Sequence, residues 1–183
     1  MMCFVEILPL MVFFYDAAKQ TVIDYVGGFP DLEKGHLRTI GQPFIRFKQD
    51  PVRMIRLLKF RARFGFEIDH DTRLALIESK HEILKSSSAR ILEELLRMLE
   101  SGASEPFFRL MIEYGLLQLM LPALASFMEM EEGEQIYSFL QSIDEHTLTE
   151  GNTPLDRSLL LAVLAFPLLE KRLEVLYAGR DKP

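Results

Sequence analysis

A chain of 183 residues, 49% apolar and 26% charged, is long enough to bury a core of its own and too ordinary in composition to be intrinsically disordered. Its single cysteine, Cys3, excludes an internal disulfide and any cysteine-based metal site, and favours a reducing compartment such as the cytoplasm. The net charge of −6 argues against a uniformly basic polyanion binder, although a whole-chain sum conceals how the charges are laid out.

The opening stretch Met1 to Tyr15 is apolar but has no basic leader, is interrupted by Glu6 and Pro9, and is too short to cross a bilayer as a helix. It reads as a buried strand, or as sequence left exposed by truncation, rather than a signal peptide. Val12 to Tyr15 and Thr21 to Val26 then read as two strands around the polar turn Asp16-Ala17-Ala18-Lys19-Gln20, a β-hairpin that Gly27-Gly28 and Pro30-Asp31 break off. A short extended segment, His36 to Ile40, is expected before Gly41 and Pro43 punctuate the chain.

After Asp50 the period becomes helical: Val52, Ile55, Leu58 or Lys59, Ala62 and Phe66 recur at helical spacing. Asp50-Pro51 is expected to start this helix, Asp50 as its cap, and Gly65 to end it. A second helix is expected from about Asp69 to Leu84, with Asp69-His70-Asp71 reading as an N-cap. Ser86 to Ser88 introduce a third, Ala89 to Glu100, closed by Gly102; a fourth runs from Glu105 to Tyr114 and stops at Gly115. Leu116 to Met120, Gln135 to Ile143 and Leu155 to Leu176 continue the helical pattern, and the acidic Glu129, Glu131, Glu132 and Glu134 read as a solvated loop or helix end. The fold class is mainly α: a short hairpin followed by at least five helices.

Between Arg38 and Arg63 lie eight basic residues, Arg38, Arg46, Lys48, Arg53, Arg56, Lys59, Arg61 and Arg63, against one acid, Asp50. On a helix Arg53, Arg56 and Lys59 or Arg63 share a face, so a cationic stripe results that suits the phosphates of RNA or of a nucleotide. Phe44, Phe47, Phe60 and Phe64 lie among these charges, as core residues or as stacking surfaces for bases. A solvated helix face with phenylalanines in the core remains the alternative.

The blocks Ile23-Asp24-Tyr25-Val26-Gly27-Gly28, Asp31-Leu32, Gln49-Asp50-Pro51-Val52-Arg53-Met54-Ile55-Arg56 and Lys59-Phe60 stand in an order that resembles the bacterial poly(A) polymerase and class II CCA-adding tRNA nucleotidyltransferase family. Ser88-Ala89-Arg90-Ile91-Leu92-Glu93-Glu94 and Tyr114-Gly115-Leu116-Leu117 to Leu121-Pro122 extend the similarity, which covers Asp16 to about Phe127. The resemblance implies the end of a catalytic head over residues 1–43, a neck over 44–105 and part of a helical body over 106–183. It implies that Asp50 and Arg53 form a protein template for the Watson-Crick edge of an incoming nucleotide, with Arg56 beside them. Arg46, Lys48, Lys59, Arg61 and Arg63 are then expected to contact RNA phosphates. A carboxylate acceptor beside a guanidinium fork can address one planar base, in keeping with that role. Gln49 stands where the family commonly has Glu, and Lys59 where Arg is frequent.

In that family the carboxylates that hold Mg²⁺ lie in an Asp-x-Asp strand upstream of these blocks, and an Arg-Arg-Asp-Phe-Thr block precedes the hairpin. Here Cys3 to Met11 occupies that place and does not match, and the lone Asp-x-Asp, Asp69-His70-Asp71, follows the neck. The chain is therefore expected to be a truncated piece with no catalytic or metal-binding residues of its own, inactive alone. The intact enzyme would use ATP and Mg²⁺ to add AMP to an RNA 3′ end, in the cytoplasm and with no membrane partner. Poly(A) polymerase is favoured over CCA addition, and a non-catalytic RNA-binding helical module is the further alternative. A metal phosphohydrolase built on His70-Asp71 is set aside, because His36, His81 and His146 complete no ligand pattern.

Overall fold

Strands β1 (Phe13–Asp16) and β2 (Thr21–Asp24) pair antiparallel, Phe13 opposite Asp24 and Asp16 opposite Thr21, as two apolar and β-branched runs around a polar turn predict. The computed structural model describes residues 8, 13–149 and 155–178, so that, Leu8 apart, the Cys3 to Met11 block lies outside the described residues. At the hairpin turn Asp16 Oδ1 accepts from the amides of Ala18 and Lys19. At its exit Asp24 accepts from the amides of Val26, Gly27 and Phe29 at 2.9–3.0 Å. The Gly27-Gly28 break is thus also a beginning: helix α1 (Gly28–Lys34) starts there, with Pro30 in the first turn, where its missing N–H is not needed.

Three further corrections lie between residues 36 and 52. The extended segment narrows to β3 (His36–Leu37), which runs parallel to β4 (Glu67–Ile68). Pro43 does not interrupt the chain but opens helix α2 (Pro43–Gln49). Asp50 does not cap the next helix: it is extended at φ −148°, its amide bonds the Arg46 carbonyl to close α2, and its side chain makes no capping bond to α3 (Val52–Phe64). The carboxylate points instead to the guanidiniums of Arg53 and Arg90.

Helix α3 supplies the core of this first unit, with Val52, Met54, Ile55, Leu57 and Leu58 fully buried alongside Leu37, Phe47, Leu76 and Ile83. Gly65 ends it at φ 69°, a left-handed conformation open to glycine, and so aims the chain at β4. Helix α4 (His70–Ser79) packs against α2, and Asp69 caps it as expected, its carboxylate accepting from the amides of Asp71 and Thr72. A 3-10 turn over Lys80–Lys85 replaces the last turn of the expected second helix.

The chain divides into two compact units, Met1–Ile91 and Leu92–Pro183, a boundary within helix α5 (Ser88–Leu99). In the second unit follow α6 (Ser104–Glu113), α7 (Leu116–Met120), α8 (Pro122–Met128), α9 (Glu134–Thr149) and α10 (Arg157–Ala178). Phe107, Phe108, Met111, Leu116, Leu117, Ile136 and Leu140 form its core. The acidic stretch makes a 3-10 turn, Glu131–Gly133, in which a Cβ on Gly133 would come within 2.4 Å of the Phe127 carbonyl oxygen. No helix among the described residues is long and apolar enough to cross a membrane. The fold is mainly α, as its sequence predicts.

Asp144 of α9 caps α6 from forty residues away, accepting from the amides of Ser104 at 2.7 Å and Glu105 at 2.8 Å in a buried setting. Asp144→Ala leaves two amides without an acceptor and is expected to lower the unfolding free energy by about 2 kcal/mol, measured by urea denaturation. Asp24 gives a pH signature. The amide of Phe29, then those of Gly28, Val26 and Gly27, hold its carboxyl at about 2, below the ordinary 3.8. A depressed folded pKa stabilises fully above the ordinary value and is lost as pH falls through the folded one. Between pH 4 and 2 the urea midpoint of the native chain should therefore fall more steeply than that of Asp24→Asn.

Candidate nucleotide and nucleic-acid interface

Helix α3 begins two residues after Asp50, so its first turn places Arg53 three residues from that carboxylate. Arg53 Nε lies 3.7 Å from Asp50 Oδ2, an ion pair too long for a hydrogen bond, with both side chains largely buried. Arg90, at the start of α5, donates from Nη2 to the same oxygen at 3.0 Å. Asp50 Oδ2 therefore faces two guanidiniums. Asp50 Oδ1 and Arg53 Nε and Nη1 are buried without a hydrogen-bond partner among the described residues. Buried polar atoms without partners cost about 1–3 kcal/mol each, so three of them at one point single out this pair as a candidate site.

The electrostatics agree. Burial, and then the positive charges of Arg46 and Arg56, push the Arg53 guanidinium below its ordinary value, opposed by Asp50. Arg46, Asp50, Arg53, Arg56 and Arg90 thus form one cluster with a large cationic excess. Arg90 is the member that the sequence reading did not assign to the site. It lies within a block that carried the resemblance, but no spacing rule joins residues forty positions apart.

The other expected contacts spread along the unit. Arg46 also donates to Gln49 Oε1 at 3.3 Å, and the Lys48 ammonium lies 4.4 Å from the centre of the Phe44 ring. Lys59 is half-buried in the middle of α3. Arg61 donates to the Phe66 carbonyl at 3.2 Å, which ties the end of α3 to the approach to β4, and Arg63 is exposed beside Phe64. Arg38 is held by Asp31 and by the carbonyls of Val26 and Gly27, bracing the α1 turn. Phe47 is core, whereas Phe44 and Phe64 are exposed. Among the described residues no three His, Cys, Asp or Glu side chains gather as a metal site; His70 and Asp71 form an exposed pair at 3.3 Å.

A helical core carrying a buried Asp–Arg pair within a cationic cluster does not by itself name a class of protein, and comparison with known proteins narrows the field. A family model described as "Probable RNA and SrmB-binding site of polymerase A" matches residues 65–128. The chain is 33% identical over 164 residues to poly(A) polymerase I of Escherichia coli O6:H1, covering 86% of this chain and 34% of that protein. It is 32% identical over 111 residues to the CCA-adding enzyme of Bacillus velezensis, covering 61% and 28%. A solved tRNA-processing enzyme with CTP has the same fold, with a TM-score of 0.71 at 21% identity over 97% of this chain and 50% of that one. A tRNA nucleotidyltransferase complexed with a primer tRNA and an incoming ATP analog gives a TM-score of 0.62 at 25% identity, over 79% and 42%. The matching family model, the curated relatives and the solved structures together support the poly(A) polymerase and CCA-adding nucleotidyltransferase family for this chain. It spans about a third of the length of the poly(A) polymerases it matches.

Removing the charge of Asp50 while keeping its shape isolates its effect on Arg53. Asp50→Asn leaves a buried guanidinium beside Arg46 and Arg56 without its counter-charge and is expected to cost about 3 kcal/mol of stability. Arg90→Ala, at a half-exposed partner, should cost less than about 1 kcal/mol. Urea denaturation of the two variants measures the contrast.

Proposed function

We propose that this chain is the base-reading and RNA-gripping part of a template-independent nucleotidyltransferase that adds AMP from ATP to RNA 3′ ends, a poly(A) polymerase. The observation that carries the reading is the Asp50–Arg53 pair, whose unused acceptor and donors sit side by side at the start of α3. A carboxylate oxygen and guanidinium N–H groups can meet the donor and acceptor edge of one base, and Arg56 and Arg46 supply positive potential for the phosphates of the same nucleotide. Lys48, Lys59, Arg61 and Arg63 continue the cationic surface for RNA.

Residues in this role choose the nucleotide. The chemistry of transfer would come from carboxylates that hold Mg²⁺ elsewhere in the whole enzyme, which would act in the cytoplasm. The match to poly(A) polymerase I runs over more of the chain than that to the CCA-adding enzyme, 86% against 61%, at nearly equal identity, so the polymerase reading is the one put first and not one the comparisons decide. CCA addition is the second reading, supported by the likeness to the tRNA-processing enzyme with CTP.

Equilibrium dialysis of the chain against labelled ATP, CTP and GTP tests the assignment. ATP is expected to bind best, and Arg53→Ala to weaken it about tenfold or more while the folded circular dichroism signal persists. Equal binding of ATP and CTP would favour the CCA reading. Nucleotide binding untouched by Arg53→Ala would end the template assignment.

A further inference from the structure

Helix α3 does not stay buried along its length. Arg53, Arg56, Phe60, Arg63 and Phe64 recur at three- and four-residue steps or their sums and therefore follow one side of the helix. Exposure rises along that side: Arg53 is buried, Arg56 and Phe60 are half-buried, and Arg63 and Phe64 are exposed, Phe64 to 50%. The exposed ring does not stand alone. Phe64 lies 5.7 Å from Phe60 with the planes 25° apart, and 5.6 Å from Phe66 on the far side of Gly65. The Arg63 guanidinium lies 5.8 Å from the centre of the Phe64 ring.

A single exposed phenylalanine needs no explanation, but three rings in succession, ending half exposed beside a guanidinium, form an organised surface. The rings are also held from behind. Phe66 packs so closely on Gly35 that a Cβ there would meet its ring at 3.3 Å, and its carbonyl accepts from Arg61. A flat apolar face fixed in this way loses little entropy when another flat group stacks on it.

We propose that Phe64, supported by Phe60 and Phe66, is a stacking platform for an unpaired base of single-stranded RNA, with Arg63 placed for the adjoining phosphate. The inference rests on the RNA reading above and adds a second point of contact to it. The charge layout favours this ligand over an apolar protein partner, since the rings end the most cationic stretch of an acidic chain. Along α3 the platform lies about 16 Å from Arg53, the reach of roughly five nucleotides stacked at ~3.4 Å each. Phe64 would therefore hold a base upstream of the 3′ end, not the incoming nucleotide.

Fluorescence anisotropy with a short labelled oligoadenylate, together with ATP dialysis, tests this on the chain itself. Phe64→Leu keeps an apolar residue at an exposed helix end but removes the π-face; it should weaken oligoadenylate binding about 5- to 100-fold and leave ATP binding unchanged. Phe64→Trp should retain or tighten binding. Arg63→Gln should make the salt dependence shallower by about one unit of log–log slope, whereas Phe64→Leu should leave the slope intact. Oligoadenylate binding equal in Phe64→Leu and the native chain would overturn the platform while leaving the RNA reading standing, and would point to a protein partner for these rings. If the native chain binds no oligoadenylate at all, the RNA reading fails and the platform with it.

Discussion

The burial of one guanidinium organises the first unit. Arg53 opens helix α3 with its side chain inside the protein, a placement water opposes strongly unless a counter-charge shares it. Asp50 provides that charge and draws in Arg90 from forty residues downstream, so one carboxylate joins the break between α2 and α3 to the start of α5. Asp50 cannot at the same time cap α3, which explains why a sequence that reads as a cap does not act as one.

Around that pair α3 has two tasks. Its apolar positions, Val52, Met54, Ile55, Leu57 and Leu58, fill the core of the first unit, in which Leu37 and Leu76 are also fully buried. Its remaining positions line up Arg53, Arg56 and Arg63 on a backbone that cannot shift without disturbing the core. Cations placed by a packed helix keep their spacing, which a flexible basic tail would not. This is how an acidic chain can still present a concentrated positive surface.

Most of the element order was legible. Glycines at the ends of α3 and α6, the Asp69 cap and the period of the long helices are local signals, and local hydrogen bonding realised each of them. The misreadings fall where a residue has two possible uses. Pro43 and the Gly27-Gly28-Pro30 cluster look like breaks, yet proline in a first turn and glycine just before a helix also begin one, and α1 and α2 are short enough for the distinction to depend on their packing. Arg38 counted in the basic stretch by charge alone, but its geometry commits it to Asp31 and two carbonyls.

By itself the sequence determined that the chain is mainly helical, that its positive charge is concentrated between Arg38 and Arg63, and that Asp50 and Arg53 are close, because period, composition and three-residue spacing are local properties. Only the tertiary structure decided which of those charges are used up internally, that Arg90 joins Asp50, that Phe47 is core while Phe64 is exposed, and that Asp144 caps α6. Each of these depends on which distant segment packs alongside, and burial and long-range pairing are properties of packing that no local pattern encodes.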